Sequence, residues 1–373
     1  MITIMNIGLL KEIKSFENRI LIAPDAVQEL VEGGNTIYVE SGAGKGSGFE
    51  DKDFESAGAN ILPSSEKVYS KANLVLKVQA PMSVEYDLFT DKHICFCYLL
   101  PLQNPERLQS LLKSGATFFS GELIPSIKSA MSEVAGRVAI IQAQKYLERV
   151  YGSKGILFSG ACDIPGARVS IIGNGTSALA AAKQALQFGA SVNLICSDYD
   201  NLLSFKAEHQ SDPLEVYEFD RGIVRNLLLE TDVLIITEQS LDEQKKIQLK
   251  KEDINVLEAG SLIIDLSLKN GDIIDKLRET KPNEPIYIQD GLVYFSVSNL
   301  PSFVPKTSSY ILSKSMLKYL HQLTQMGFDE AIATSPELRN SLVLYHGKVV
   351  NALLAKNTDY EHYDILELLE LNI

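Results

Sequence analysis

Two short stretches carry residues that could do chemistry. In VSIIGNGTSALAAAKQALQFGASVNLICSD (Val169 to Asp198), Gly173 and Gly175 stand in a G-x-G-x-x-A turn that ends the apolar run VSII. The first glycine permits a tight turn, the second lets backbone approach a pyrophosphate, and Ala178 lets a helix pack on the strand. The N–H groups that open the helix then receive the phosphate charge. In NLVLKVQAP, Lys77 sets an ammonium inside an apolar run, where it is costly unless paired or functional. Two readings of Lys77 stand, a functional cation and a strand-end lysine that reaches solvent.

A NAD-binding fold puts a carboxylate on the ribose hydroxyls at the end of the second strand, about twenty residues beyond the turn. That count falls on Cys196, and the first carboxylate is Asp198. Asp198 either reaches the ribose or is a solvated loop residue. No arginine follows at once to hold a 2′-phosphate, so NAD is the favoured cofactor and NADP the alternative.

The composition sets bounds on what such a chain does. With 373 residues it suits two domains, and 45% hydrophobic with 22% charged residues is ordinary for a globular protein. A net charge of −13 argues against a nucleic-acid or anionic-membrane surface, since phosphate binding needs a basic face. A small molecule is the expected partner. The four cysteines, Cys95, Cys97, Cys162 and Cys196, follow neither a zinc-ligand spacing nor a secreted framework. No metal is expected. The N-terminus lacks the pattern of a secretory signal, and no run of about eighteen apolar residues occurs, so the expected location is the cytoplasm.

The elements that must position these residues follow from pattern. The first third alternates short apolar runs with helical segments, as in a parallel sheet with covering helices. In SAMSEVAGRVAIIQAQKYLERV, Val134, Val138 and Ile141 fall on one helical face, and Ser129 or Ser132 could cap its start. The runs DVLIIT, GSLIIDLS and PIYIQDGLVYFSVSNLP read as buried strands of a second sheet. After PSFVPKTSSY, the segments ILSKSMLKYLHQLTQMG and NSLVLYHGKVVNALLAK read as helical. The expected fold is α/β with two domains, a Rossmann-type dinucleotide-binding domain over 130–304 inserted into a second parallel α/β substrate domain made of 1–129 and 305–373.

Over essentially its whole length the chain resembles the family of alanine dehydrogenase and the NAD-binding subunit of proton-translocating transhydrogenase. The resemblance rests on GLLKEIKSFENRILIAPDAV (8–27), VESGAGKGSGFEDKDFESAGA (39–59), LVLKVQAP (74–81), MSEVAGR (131–137), the glycine turn, GSLIIDLS (260–267) and VSNLPSFVPKTSS (297–309). It implies hydride transfer between a nicotinamide and the α-carbon of an amino acid or keto acid, in a cleft between the domains. It also implies that Arg19 of ENR and Lys77 hold the substrate carboxylate and carbonyl oxygen, with Lys77 catalytic. From the residues alone, Arg19 could equally pair with Glu12 or Glu17. Tyr98 matches the family's site strand, though a tyrosine there is as often core as contact. The same resemblance assigns Asn299 to the substrate and Ser132 to the dinucleotide. A homo-oligomer is expected.

Two positions depart from the alanine dehydrogenase pattern. Leu100 stands where those enzymes carry an acid/base histidine, and a leucine cannot move a proton. His93 lies about 20 Å back along the same extended strand and reads as a surface or capping histidine. Lys269 replaces the carboxylate four residues beyond Asp265. A cation there repels a substrate ammonium and attracts a second carboxylate, unless it is simply a solvated loop lysine. Transhydrogenase subunits also lack the histidine, but IPSIKSAMSEVAG lacks the Arg…Gln…Asp loop that they use at the nicotinamide.

The expected activity is therefore that of an alanine dehydrogenase-like oxidoreductase acting on a C–N bond. The alternatives are an opine- or saccharopine-type dehydrogenase that reduces an imine, and a degenerate member that only binds dinucleotide or amino acid. Leu100 and Lys269 together predict slow or absent turnover of pyruvate with ammonia.

Overall fold

The computed structural model describes residues 4–99, 104–237, 247–267 and 277–371. The chain forms two compact units, Met1–Met131 with Val304–Ile373, and Ser132–Phe303. Each is α/β.

The first unit is built on an eight-stranded sheet. Its strands are β1 (Asn6–Leu9), β2 (Thr36–Glu40), β3 (Asn60–Leu62), β4 (Leu74–Gln79), β5 (Ile94–Tyr98), β6 (Thr117–Ser120), β14 (Leu342–Tyr345) and β15 (Lys348–Val349). Their order across the sheet is β15-β14-β6-β5-β4-β1-β2-β3. Strands β1 to β6 pair in parallel, while β14 runs antiparallel to β6 and β15. Leu74 to Val78 of β4 are buried throughout, because helices cover both faces of a parallel sheet. Cys95 and Cys97 belong to this apolar core.

The chain steps outward from β1 to β2 and β3, then returns to the other side of β1 as β4. At that reversal the connections leaving β1 and β4 diverge and open a crevice beyond the carboxyl ends of the strands. Lys77 and the segment holding Arg19 both lie there.

The second unit repeats the plan. Its strands are β7 (Arg168–Ile172), β8 (Ser191–Cys196), β9 (Leu214–Glu218), β10 (Val233–Ile236), β11 (Leu262–Asp265), β12 (Ile286–Gln289) and β13 (Leu292–Phe295), in the order β12-β13-β11-β10-β7-β8-β9. Reversal falls between β7 and β10, so the glycine turn after β7 sits at the switch point of its own sheet. Only β12 is antiparallel here.

Four local expectations need correction. The stretch LVLYHGKVV is a hairpin and not a helix: β14 and β15 join through His346 and Gly347, whose φ values of 44° and 77° make a turn of the hand that suits twisted strands. The segment from Ile286 to Phe295 is likewise a hairpin, turning at Asp290 and Gly291, where a single strand was expected. The helix read from Ser129 begins at Pro125 and runs to Tyr146, so Ser129 and Ser132 are interior to it and do not stand at its start. Proline suits that first helical turn, where its missing N–H costs nothing. Along the same helix Val134 and Val138 are buried but Ile141 is exposed, since the face that packs rotates past it.

His93 is also buried and not on the surface. Its Nδ1 accepts from the Thr90 N–H at 2.9 Å, which leaves Nε2–H to donate to the Tyr69 carbonyl at 2.9 Å. With both ring nitrogens satisfied, a neutral imidazole is tolerated in the core. No helix among the described residues is long and apolar enough to cross a membrane.

Candidate active site

The segment after β1 is stitched to the end of β4. Leu10 N–H donates to the Leu76 carbonyl at 3.3 Å, and Oε1 of Glu12 accepts from the N–H groups of Val78 and Gln79. The Gln79 amide in turn donates to Oε2 of Glu17 at 2.7 Å. These contacts bring Glu12, Glu17 and Arg19 beside Lys77.

Arg19 is buried, with 4% of its surface exposed. Its Nε and Nη2 donate to the two oxygens of Glu17 at 2.8 and 2.6 Å, a bidentate pair. Nη1 lies 3.6 Å from the Met131 sulfur. Burial pushes the Glu17 carboxyl up, but Arg19 outweighs it and holds the group at about 2. The same partnership keeps the guanidinium above its usual value against burial. Of the alternatives open in the sequence, pairing with Glu17 is the one realised.

Lys77 is 1% exposed, so it does not reach solvent. Its Nζ lies 2.7 Å from Oε1 of Glu85 and 3.8 Å from Oε2 of Glu12. Burial draws the ammonium's pKa down, but the two carboxylates outweigh it and raise it above the ordinary lysine value. The contact with Glu85 is a close ion pair whose hydrogen bonding adds to that rise.

Tyr98, at the end of β5, carries an unsatisfied group. Its hydroxyl oxygen is buried and has no hydrogen-bond partner among the described residues. Burial pushes this hydroxyl up, opposed by the charge of Arg19 and reinforced by Glu122 and Glu17, so it stays protonated and able to donate. Buried polar groups without partners are uncommon in folded proteins. A ligand oxygen would supply the acceptor that Tyr98 lacks.

In the second unit Gly173 adopts φ 132°, a conformation closed to most side chains, and its N–H donates to the Ile195 carbonyl at 2.8 Å. Gly175 caps the helix Thr176–Gln187, and a Cβ built on it would meet nothing within 4 Å. The backbone there is therefore open to a ligand, as a dinucleotide pyrophosphate requires. Ala178 is fully buried where the helix meets the sheet. Cys196 closes β8 with its sulfur 3.7 Å from the Tyr217 carbonyl and Glu218 of β9 opposite it, and Asp198 is half-buried just beyond the strand.

Ser132 is half-buried within its helix. Asn299 is half-buried at the start of the turn Leu300–Phe303, its carbonyl accepting from Ser302 N–H at 3.1 Å and Oγ at 2.7 Å. Both belong to the second unit, whereas Arg19, Lys77 and Tyr98 belong to the first. Leu100 and Lys269 lie outside the described residues. Two residues escape a reading of the sequence. Glu85 had one usable signal, that a buried lysine must find a carboxylate. Gly136 had none: a Cβ on it would come within 2.1 Å of the Ser177 carbonyl oxygen, so only glycine lets the two helices approach.

Known families match this chain over nearly all of it. The model of the alanine dehydrogenase/PNT N-terminal domain matches residues 8–139, and that of the C-terminal domain matches residues 139–352. The chain is similar to alanine dehydrogenase of Bacillus subtilis (strain 168), 32% identical with 96% of each chain covered. It is similar to alanine dehydrogenase 2 of Staphylococcus aureus (strain USA300), 33% identical over 98% of this chain and 100% of the other. Among solved structures an L-alanine dehydrogenase superposes with a TM-score of 0.88 at 29% identity, covering 95% of this chain and 99% of that one.

Proposed function

This chain belongs to the alanine dehydrogenase/PNT family, and we propose that it is an NAD-dependent oxidoreductase acting at the carbon–nitrogen bond of an amino acid. One observation carries the reading. The Tyr98 hydroxyl, buried near the Arg19 guanidinium, lacks a hydrogen-bond partner among the described residues, and the buried Lys77 ammonium lies on the neighbouring strand.

Arg19 turns Nη1 to the substrate carboxylate, its Nε and Nη2 being held by Glu17. Lys77, kept cationic by Glu85, polarises the carbonyl or imine side of the reacting carbon, where charge develops. Tyr98 donates to the same ligand and fixes its orientation. Gly173 to Ala178 would hold the pyrophosphate of NAD, with Asp198 toward its ribose and Ser132 as a further contact, and the bound cofactor would supply the hydride acceptor or donor. In this reading Asn299 contacts the substrate as well.

A second reading, imine reduction, is favoured by the sequence at two positions. Leu100 replaces the acid/base group that water attack on an imine needs, a group that contributes about 10² to 10⁴-fold in rate. Lys269 suits a substrate with a second carboxylate. Hydride transfer to a preformed imine needs less proton management, so a larger dicarboxylic or secondary-amine substrate fits better than alanine. The test is NADH consumption with pyruvate plus ammonia beside keto acids plus lysine, ornithine or glutamate. Turnover of the ammonia reaction near the enzyme median of about 10 s⁻¹ would sink the imine reading; turnover of none of these mixtures would sink both.

A further inference from the structure

The cluster holds one ionisable side chain that the chemistry above leaves idle. Glu12 is clamped through Oε1 by two consecutive backbone N–H groups, those of Val78 and Gln79. Its other oxygen faces Lys77 Nζ at 3.8 Å, beyond hydrogen-bond length. On the other side of the ammonium, Glu85 sits at 2.7 Å, tied down by the Tyr69 hydroxyl at 3.3 Å and the Met82 N–H at 2.9 Å. Lys77 thus stands between a fixed counter-charge in close contact and a second carboxyl about an ångström further off.

We propose that Glu12 is the proton reservoir of Lys77, accepting or returning the proton that Lys77 exchanges with the substrate oxygen. The proposal rests on the reading of Lys77 as the group at that oxygen. In the reductive direction an amine adds to the keto carbonyl, a C–N bond forms and the π pair moves to oxygen. The new O–H bond takes its proton from Lys77, which is left neutral. The Glu12 O–H then breaks and restores the ammonium, leaving a carboxylate that is recharged by the N–H proton the added nitrogen gives up; amino-acid oxidation runs the same transfers backward. No electrons change hands in this exchange, so it needs no oxidant.

Glu85 is unsuited to the task, because its short, anchored ion pair serves to keep Lys77 charged. Glu12 differs in its surroundings. Burial pushes its carboxyl up to about 7 and Glu17 adds to the rise, while Lys77 and the two backbone N–H groups oppose it. The charged groups around it are Lys77 and Glu85 on the β4 side, Glu17 and Arg19 on its own segment, and Glu40 of β2, which accepts from Lys11 N–H at 2.9 Å. The flexible stem of lysine spans the remaining gap. Such a reservoir also answers, at the level of sequence, the leucine at position 100, since it supplies a second proton-handling group beside Lys77. Glu12 acts through Lys77 and is a positioning residue in that sense.

Two measurements on the full chain test this. The pH profile of kcat/KM for keto acid plus amine should inflect near 7 in the native chain, lose the inflection in Glu12→Gln and keep it in Glu12→Asp. In Glu12→Gln, kcat should fall at least about tenfold while KM and NADH affinity stay within about threefold. Independently, the ¹³C-carboxyl resonance of Glu12 should titrate near 7 and shift upward in Lys77→Met. An inflection that survives in Glu12→Gln, or a Glu12 midpoint below about 5, overturns the proposal. The carboxyl titration needs no turnover, so a chain that reduces none of the mixtures refutes the proposed function while Glu12 still stands or falls on its midpoint.

Discussion

The Glu17 carboxylate grips the Arg19 guanidinium along two edges, at 2.8 Å from Nε and 2.6 Å from Nη2, with both side chains buried. Removing one partner of a buried pair leaves the other charge uncompensated, at a cost of about 3–5 kcal/mol. Glu17→Ala should therefore destabilise the first unit by that order in urea unfolding. A change below about 1 kcal/mol would mean that solvent or another group already compensates Arg19.

Two carboxyls of the cluster should give opposite slopes of stability against pH. Glu17 is held near 2 in the folded chain against an ordinary 4.5, so its contribution is present above 4.5 and is lost as pH falls from 4.5 toward 2. Glu12 is raised to about 7 from 4.5, so the folded state binds the extra proton and stability declines as pH rises from 4.5 to 7. Thermal melts across pH should show the upper decline flattened in Glu12→Gln and the lower one reduced in Glu17→Gln.

Gly175 and Gly136 should part binding from folding. A Cβ on Gly175 points into open space, so Gly175→Ala should leave Tm nearly unchanged yet weaken NADH at least about tenfold, or ~1.4 kcal/mol. A Cβ on Gly136 meets backbone at 2.1 Å, so Gly136→Ala should cost about 1–3 kcal/mol of overpacking and lower Tm. Calorimetry with NADH beside thermal melts reads both; unchanged NADH affinity in Gly175→Ala would move the pyrophosphate off this turn.

Restoring a proton-transfer group should restore chemistry with ammonia. Leu100→His is expected to raise NADH consumption with pyruvate plus ammonia, toward the ~10² to 10⁴-fold that general acid–base catalysis contributes. If Leu100→His changes nothing while the native chain already uses ammonia well, Leu100 does not stand where a histidine would act.

The glycine turn was legible because its chemistry is local. Strand, Gly173, Gly175, Ala178 and helix follow one another within VSIIGNGTSALAAAK, and each residue type answers a steric demand of its own short stretch. The unusual ammonium in NLVLKVQAP was legible for a similar reason, since an apolar run makes a charge conspicuous. The hairpin LVLYHGKVV was misread because a short apolar run satisfies helix and strand periods alike, and only pairing with β6 decided between them.

Tertiary structure alone decided what surrounds Lys77. The return of the chain past β1 to form β4 puts the segment after β1 against the end of β4, and with it Glu12 on the backbone of Val78 and Gln79. Nothing in residues 8–27 or 74–81 encodes that meeting by spacing, because strand adjacency is set by how the whole sheet buries its two faces. The residue types of the site could be read from the chain, but which carboxylate holds which cation depends on strands that are neighbours in the sheet and not in the sequence.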